Sequence, residues 1–258
     1  MLLNFYKYHG TGNDFIIIDN RESLIELTAK QIFFLCNRRF GIGADGLMSL
    51  ENDNNFDFRM KYYNSDGKEG TMCGNGGRCI VAFAKKLGVI KNKTKFIAVD
   101  GEHYAEISDN NIVKLQMSDV KNIKNIKKGF FLDTGSPHYV EFVDNLENFD
   151  VYNEGKKNRY SNEFKPFGTN VDFVKKENNK LITVATYERG VESETLSCGT
   201  GVTASALVFA KKNKINNFVE IKTKGGNLKV FFEQKNNIFT NIYLQGETKF
   251  VFNGTIII

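Results

Sequence analysis

The sequence predicts an α+β fold with two pseudo-symmetric lobes, each a strand-rich sheet or barrel wrapped around a central helix. Three observations predict this fold. A cysteine in a glycine-rich turn occurs twice, in residues 72–78 (MCGNGGR) and in residues 197–203 (SCGTGVT). Each copy opens an apolar run long enough for a helix. Short segments that alternate apolar and polar residues, as strands do, surround both runs.

The two cysteine turns belong to an internal duplication. An offset of 125 residues separates Cys73 from Cys198, and the same offset carries Glu69 onto Glu194. Further short matches at nearly the same offset occur on both sides of the turns. Because this period is as long as a small domain, it predicts two lobes and not a solenoid of short repeats.

Length and composition agree with a two-lobed globular protein. We expect an N-terminal lobe at residues 1–117 and a C-terminal lobe at residues 118–247, with a final strand at 248–258 returning to the first lobe. A hydrophobic fraction of 41% can supply a buried core. No apolar run approaches the length of a membrane span, and the N-terminus lacks the features of a signal peptide. These features predict a cytoplasmic protein with no membrane partner.

The net charge of +5 comes from lysines scattered through the chain. Two local runs, at residues 91–95 and 121–128, are expected to be solvated turns or linkers. A nucleic-acid-binding protein would concentrate basic residues and stacking aromatics on one face. We therefore expect no nucleic-acid partner.

The first lobe is expected to begin with two strands joined by a glycine-rich turn, within residues 5–20. A capping box that starts at Thr28 predicts a helix that buries Cys36 and stops at Gly41. Residues 56–62 alternate as a strand with one wet face does. Further strands are predicted at residues 96–99, 103–107 and 113–117.

The second lobe shows the same organisation. Strands are predicted at residues 139–143, 172–174, 181–187, 230–233 and 238–244. The apolar run after each cysteine turn is hydrophobic on nearly every side, and such a helix must be enclosed. Strands that wrap one enclosed helix, twice over, give the predicted architecture, and we expect the paired sites to meet in a cleft between the lobes.

The paired cysteines point to proton-transfer chemistry. Four cysteines in a reducing compartment are expected to be thiols and not disulfides. The positive end of a helix lowers the pKa of a thiol at its N-terminus from about 8.5. The glycines that follow leave backbone amides open, so that a carboxylate or a developing enolate can bind there. Each half therefore supplies a sulfur beside an anion-binding site.

Two such sulfurs on opposite sides of a carbon atom suit inversion of its configuration. One sulfur removes the proton as a thiolate, and the other donates a proton as a thiol. Because an amino-acid Cα proton is weakly acidic, the site must also stabilise the carbanion, and helix N-termini aimed at the substrate carboxylate can do so.

Other interpretations of these residues remain open. A single cysteine in such a turn is mostly a buried thiol, and the loop asparagines could simply form turns. The spacing of Cys73 and Cys79 differs from that of zinc and thioredoxin sites, and with three histidines in the chain no metal site is expected. A thiol-redox or ligand-binding protein would also have reactive cysteines without catalysing a reaction.

The chain resembles the diaminopimelate epimerases in seven motifs that follow in order along nearly its whole length. They are residues 9–15 (HGTGNDF), 63–67 (YNSDG), 72–79 (MCGNGGRC), 135–138 (GSPH), 168–173 (GTNVDF), 187–190 (YERG) and 197–201 (SCGTG). The resemblance implies the fold of that family and a cofactor-independent isomerase. Its implied activity interconverts LL- and meso-2,6-diaminopimelate in the biosynthesis of lysine and of the peptidoglycan precursor, and its implied assembly is a homodimer.

The resemblance also implies a role for each matching residue. Cys73 and Cys198 are the catalytic acid/base pair. The implied substrate-binding residues are Asn13, Asn64, Gly74, Asn75, Asn170, Glu188, Arg189, Gly199 and Thr200, and His138 is the assisting residue. Within this set, the amides at the two helix ends bind the reacting carboxylate. The three loop asparagines and the arginine hold the distal amino-acid end.

Two positions depart from the pattern of some family members. Ser136 stands where an asparagine often occurs, and Gly46 stands where some members carry glutamine. A proline or hydroxyproline racemase also has paired cysteines, but that family typically has histidine where Asn75 stands. The phenazine-biosynthesis isomerases lack the cysteine pair. The racemases therefore stay as the alternative within the fold.

Overall fold

The structure is a computed structural model that describes all 258 residues. The chain divides into two compact units. Unit 1 consists of Met1–Leu115 together with Gly246–Ile258, and unit 2 is the continuous segment Gln116–Gln245.

Unit 1 is a strand-rich sheet with two helices. Its elements are β1 (Leu2–Gly10), β2 (Asn13–Asp19), α1 (Ala29–Cys36), β3 (Gly46–Glu51), β4 (Phe58–Asn64), α2 (Gly74–Lys86), β5 (Lys93–Ala98), β6 (Gly101–Ile107) and β7 (Ile112–Gln116). The strands lie in the order β1 to β7, and residues of the last strand of the chain pair antiparallel with β1. The N-terminal strand therefore has a partner on each side.

Unit 2 is built in the same way. Its elements are β8 (Lys124–Ile126), β9 (Gly129–Asp133), β10 (Pro137–Phe142), α3 (Val151–Arg159), a 3₁₀ turn (Asn162–Phe164), β11 (Asn170–Lys176), β12 (Leu181–Glu188), β13 (Ser193–Thr195), α4 (Gly199–Asn213), β14 (Asn217–Thr223), β15 (Gly226–Lys235) and β16 (Ile238–Ile257). The strand order is β16-β15-β14-β12-β11-β10-β9-β8, with β13 paired to β12. Residues 246–257 of β16 belong to unit 1.

The strand pairings of the two units follow one pattern. From β1 to β6 the pairs are antiparallel, parallel, antiparallel, parallel and antiparallel. From β9 to β15 the same sequence of pairings recurs, with β13 as an addition. In both units a short helix precedes the third strand of the pattern, and a long helix precedes the fifth. The predicted fold class is confirmed.

The two long helices are enclosed, as their apolar sequences require. Every residue of α2 from Gly74 to Ala84 is buried, and the helix packs on β1, β2, β3 and β6. In α4, residues 201–210 are all buried against β10, β11, β12, β14 and β15. Apart from Arg78, the charged residues of both helices are lysines in the last turn, where a positive charge is favoured by the negative end of the helix dipole. Each helix therefore places its N-terminus inside its own unit.

The short helix α1 confirms the predicted capping box. The Thr28 hydroxyl accepts a hydrogen bond from the Gln31 amide at 3.3 Å, and the Gln31 side chain accepts one from the Thr28 amide at 2.9 Å. Ile32, Leu35 and Cys36 form a core with residues of β1, β2 and β3. The predicted burial of Cys36 is confirmed.

The predicted stop at Gly41 is wrong, because α1 ends at Cys36 and Asn37 is already extended. Gly41 is needed for a different reason. A Cβ atom there would lie 2.0 Å from the carbonyl oxygen of Phe34, so only glycine lets this turn fold back on the helix. Gly41 packs against the end of α1 but does not end the helix.

The prediction that both lysine runs are turns or linkers is wrong in part. Residues 91–92, 121–123 and 127–128 do lie outside the strands, but the rest of each run does not. Residues 93–95 belong to β5, in which Lys93 and Lys95 are exposed while Thr94 is buried. Residues 124–126 form β8. Lysine is uncommon in strands, but at positions that face solvent it leaves the buried face intact. The helix α3 was not predicted, because only Val151 and Gly155 of its nine residues are buried.

Buried thiols predict a loss of stability at alkaline pH. Burial raises the pKa of Cys36 and of Cys79 to about 12 from the ordinary 9.0. Because the folded state binds these protons more tightly, stability is fully present below pH 9 and is lost as the pH rises towards 12. We expect the free energy of unfolding in urea to stay level up to about pH 9 and to fall between about pH 9 and pH 11, and to fall less in Cys36→Ala. An equally steep fall in that variant would contradict this account.

Candidate active site

Both repeated cysteines cap the N-terminus of a long helix. Cys73 precedes α2 with φ −89° and ψ 133°, and Cys198 precedes α4 with φ −112° and ψ 116°. Both residues are extended, so the chain enters each helix from outside and leaves the first-turn amides without intrahelical partners. Each sulfur therefore lies beside the positive end of a buried helix.

Cys73 is half-buried and lies next to Asn13. The Asn13 amide nitrogen donates to the Cys73 sulfur at 3.8 Å. The Oδ1 atom of the same side chain is buried and has no hydrogen-bond partner. Asn13 is the first residue of β2, and the tight turn before it holds Thr11 and Gly12 at positive φ. The predicted pair of Asn13 and Cys73 is thus brought together.

A fully buried arginine lies one turn into α2. The guanidinium of Arg78 donates to the Gly74 carbonyl at 3.0 Å, to Asn75 Oδ1 at 3.0 Å and to the Thr11 hydroxyl at 3.2 Å. These acceptors are neutral, and the Nε atom has no partner. The positive charge interacts with the thiol groups of Cys79 and Cys73. A buried cation whose hydrogen-bond acceptors are all neutral favours the thiolate form of a cysteine close to it.

Asn64 and Gly46 lie opposite each other at one end of the β3–β4 pair. Asn64 is the last residue of β4 and is exposed, and its carbonyl accepts a hydrogen bond from the Gly67 amide across a turn. Gly46 pairs with it in the sheet. A Cβ atom at Gly46 would lie 2.6 Å from the ring of Tyr62 and 2.7 Å from the carbonyl of Tyr63. This chain therefore has no room for the glutamine that some family members were expected to carry here.

Cys198 is more enclosed than Cys73, with 7% of its surface exposed. Burial raises its pKa well above the ordinary value of 9.0, and the negative charges of Glu188 and Asp172 act in the same direction. The Thr200 hydroxyl lies 3.4 Å from the sulfur. The Gly201 amide opposes the shift but does not overcome it. At neutral pH Cys198 is therefore a thiol.

This protonation state predicts slow alkylation of Cys198. In the substrate-free protein we expect iodoacetamide to modify Cys198 slowly at pH 7, and the rate to keep rising above pH 9, because only the thiolate reacts. Mass spectrometry of peptides, with Cys198→Ala as the blank, measures the rate at each pH. A modification rate that levels off below pH 8 would contradict the raised pKa.

A buried network surrounds the first turn of α4. His138 in β10 and Asp172 in β11 have no exposed surface. His138 Nδ1 lies 2.7 Å from Asp172 Oδ2, and His138 Nε2 lies 2.9 Å from the Thr200 hydroxyl. Thr186 in β12 pairs with Asp172 in β11, and its hydroxyl donates to Asp172 Oδ1 at 2.7 Å. Neighbouring strands and the helix N-terminus thus bring four polar side chains together.

Asn170 holds two loops of unit 2 in place. Its side-chain nitrogen donates to the Ser136 hydroxyl at 2.8 Å and to the Pro137 carbonyl at 3.0 Å. Its side-chain oxygen accepts from the Arg189 amide at 2.8 Å. Ser136, the departure from the expected asparagine, therefore positions Asn170 through its hydroxyl. Glu188 is the half-buried last residue of β12, close enough to act on the pKa of Cys198.

Several residues of these sites were not assigned a role from the sequence. They are Thr11, Arg78, Asp172 and Thr186. Two of them did carry a signal. Arg78 is a charge within an otherwise apolar helix, and Asp172 is an aspartate inside a strand, where that residue is uncommon. The threonines carried none, because threonine is ordinary in turns and strands.

Other kinds of site find no support in the side chains. No group of three or more His, Cys, Asp and Glu side chains could hold a metal ion. The structure contains no disulfide bond. No helix has both the length and the apolar character required to span a bilayer.

Comparison with known proteins identifies the family. A family model described as "Diaminopimelate epimerase" matches residues 5–123 and 130–251. The chain belongs to the diaminopimelate epimerase family. The resemblance drawn from the seven motifs is confirmed.

Relatives named diaminopimelate epimerase match the chain over nearly its full length. The protein of Flavobacterium psychrophilum is 56% identical over 259 residues, which cover 98% of this chain and 100% of that protein. The protein of Chlorobaculum tepidum is 43% identical, with 96% of this chain and 98% of that protein covered.

Solved structures with low sequence identity share the fold. A PhzF-family phenazine biosynthesis protein of Bacillus anthracis has a TM-score of 0.79 at 14% identity, with 100% of both chains covered. A hydroxyproline epimerase of Agrobacterium vitis, solved with bound trans-4-OH-L-proline, has a TM-score of 0.66 at 13% identity, with 99% of this chain and 92% of that chain covered. At these identities the likeness concerns the fold alone.

Proposed function

We propose that this chain interconverts LL- and meso-2,6-diaminopimelate by a two-base proton transfer at Cα, without a cofactor. The observation that carries the proposal is the family match over nearly the whole chain, with 56% identity to an enzyme named diaminopimelate epimerase. The capping positions of Cys73 and Cys198 support the mechanism, because each sulfur has a helix dipole and open amides beside it.

The two sulfurs divide the work of acid and base. In the resting enzyme Cys198 is the thiol that donates a proton, which its raised pKa supports. Cys73 is the thiolate that removes the Cα proton, which the buried charge of Arg78 supports. When the enzyme turns over the other stereoisomer, the roles reverse.

The carbanion is stabilised through the reacting carboxylate. In this proposal the amides of Gly74 and Asn75 at one helix end, and of Gly199 and Thr200 at the other, bind that carboxylate. Removal of one such donor costs about 3 to 4 kcal/mol of activation free energy in other enzymes. The carboxylate of Glu188 holds the substrate amine.

The distal amino-acid end needs polar groups of both kinds, because it carries an ammonium and a carboxylate. Asn13, Asn64, Asn170 and Arg189 bind this end in the proposal. The buried, unpartnered Oδ1 of Asn13 supports its part, since an ammonium would satisfy it. His138 assists from unit 2 through Thr200.

The proposal includes a homodimer in the cytoplasm. Consecutive residues near the end of β16, Phe250, Val251 and Phe252, are 42%, 50% and 45% exposed. Neighbouring residues on a strand point to opposite faces, so apolar side chains are exposed on both. Exposed large apolar side chains clustered in this way favour association with another copy. Analytical ultracentrifugation of the wild type beside Phe252→Lys tests this, with a shift towards monomer expected for the variant.

Proton NMR in deuterated water tests the proposed activity. We expect the reduced protein, with LL-diaminopimelate and no added cofactor, to form the meso isomer and to place deuterium at Cα. Proline is the matched control substrate and should show no exchange. Exchange of proline but not of diaminopimelate would move the chain to the racemases. No exchange with either would favour a binding or redox protein.

A further inference from the structure

A continuous chain of side chains in unit 2 leads from a buried carboxylate to the sulfur of Cys198. Asp172 Oδ2 lies 2.7 Å from His138 Nδ1, and His138 Nε2 lies 2.9 Å from Thr200 Oγ1. Thr200 Oγ1 lies 3.4 Å from Cys198 Sγ. Asp172 and His138 have no exposed surface, so the far end of the chain is shielded from solvent.

The hydrogen-bond partners determine where the protons lie. A carboxylate accepts hydrogen bonds, so His138 must carry a proton on Nδ1, and in the neutral ring Nε2 is then an acceptor. Thr200 therefore donates its hydroxyl proton to Nε2, and its lone pairs face the thiol of Cys198. Each donor in the chain meets an acceptor.

We propose that His138 and Thr200 form a proton relay for Cys198, in which Asp172 is a positioning residue that fixes the tautomer of His138. When the relay operates, the S–H bond of Cys198 breaks and its proton passes to Thr200 Oγ1. The hydroxyl proton of Thr200 passes at the same time to His138 Nε2. The products are a thiolate and an imidazolium, and the reverse transfer restores the thiol. The inference rests on the proposed role of Cys198 as one of the two bases.

Such a relay answers a need of the buried cysteine. Cys198 must act as a base for one of the two stereoisomers, yet it is nearly excluded from solvent and rests as a thiol. A proton acceptor inside the protein lets the thiolate form, and the carboxylate of Asp172 balances the charge that appears on His138.

Thr186 and Gly201 make room for the carboxylate of Asp172 and hold it in place. Its second oxygen accepts the Thr186 hydroxyl at 2.7 Å, so both oxygens are held. A Cβ atom at Gly201, in the first turn of α4, would lie 2.3 Å from that oxygen. The absence of a side chain at Gly201 is therefore what allows the carboxylate to approach the helix end.

The first test measures the tautomer of His138 and needs no substrate. The chain has three histidines, so ¹⁵N-histidine labelling gives few signals, and His138→Asn identifies the one from His138. We expect the ring proton on Nδ1 in the wild type, as the contact with Asp172 requires, and on Nε2 in Asp172→Asn. Any other protonation state of the wild-type ring, or an unchanged tautomer in Asp172→Asn, overturns the relay.

The second test measures turnover. We expect kcat to fall by about 10²-fold in Asp172→Asn, in both directions of the reaction, because the equilibrium constant belongs to the substrates. KM should change little, since Asp172 does not contact substrate. The exposed Asp144→Asn in the same unit is the control for the change of charge. Wild-type kcat in a folded Asp172→Asn overturns the relay, whereas an inactive wild type overturns the proposed function instead.

Thr200 provides an independent arm should Asp172→Asn fail to fold. Thr200→Val keeps the backbone amide and the shape but removes the hydroxyl, so we expect kcat to fall by about 10²-fold. Thr200→Ser retains the hydroxyl and should recover most of this loss. Equal values of kcat in the valine and serine variants overturn the relay.

Discussion

Replacing either Cys73 or Cys198 with alanine is expected to lower the rate of epimerisation by about 10³-fold or more. Each sulfur supplies one of the two proton transfers, and positioned acid–base groups contribute about 10²- to 10⁴-fold each. No other residue of this chain caps the N-terminus of a long buried helix with a titratable side chain. The measurement is the rate of meso-diaminopimelate formation from the LL isomer in each variant.

A third cysteine provides the matched control for these variants. Cys36 is buried in the core of unit 1 beside α1, and its thiol has no part in the proposed reaction. Cys36→Ala should lose stability, because it leaves a small cavity, but should keep its kcat. The two-base mechanism is wrong if Cys73→Ala or Cys198→Ala retains more than about a tenth of the wild-type rate while staying folded.

Gly201→Ala is expected to lower the free energy of unfolding by about 3 kcal/mol. The added Cβ atom would lie 2.3 Å from Asp172 Oδ1 and 3.1 Å from the Thr186 hydroxyl. Asp172 must then withdraw from a site where both its oxygens are hydrogen-bonded, or the first turn of α4 must move. Either movement costs free energy, because the interior of the protein is close-packed. Urea denaturation measures the change.

Gly76→Ala is the control, because Gly76 occupies the same position in the first turn of α2. There the added Cβ atom would lie 3.2 Å from the sulfur of Met48 and 3.5 Å from the ring of Phe15. Methionine is flexible, and alanine favours a helix over glycine, so we expect a change within about 1 kcal/mol. Similar losses in the two variants would show that the contact with Asp172 has no special cost.

The sequence predicted well those features that local pattern alone encodes. The glycine-rich turns predicted both helix N-termini, and the apolar runs predicted that both helices are enclosed. The capping box at Thr28 placed the start of α1 correctly. The end of α1 was predicted wrongly, since glycine often ends a helix but Gly41 is required here by its contact with the Phe34 carbonyl.

The parts that were missed depend on partners distant in sequence. Asp172 lies 34 residues from His138, and only the parallel pairing of β10 with β11 brings them together. Arg78 meets Thr11 across 67 residues of chain. The residue type at one position does not predict a contact with a residue so far away in the sequence. The polar helix α3 and the lysine-bearing strands were missed for another reason, since their buried faces are narrow.

The strand β16 has a consequence for the order in which the protein can be made. Unit 2 is one continuous segment, so all its residues are synthesised before the last part of the chain. Unit 1 begins at the first residue, but β1 lacks its second partner strand until residues 246–257 have been synthesised. The half of the protein that is translated first is therefore the half whose sheet is completed last.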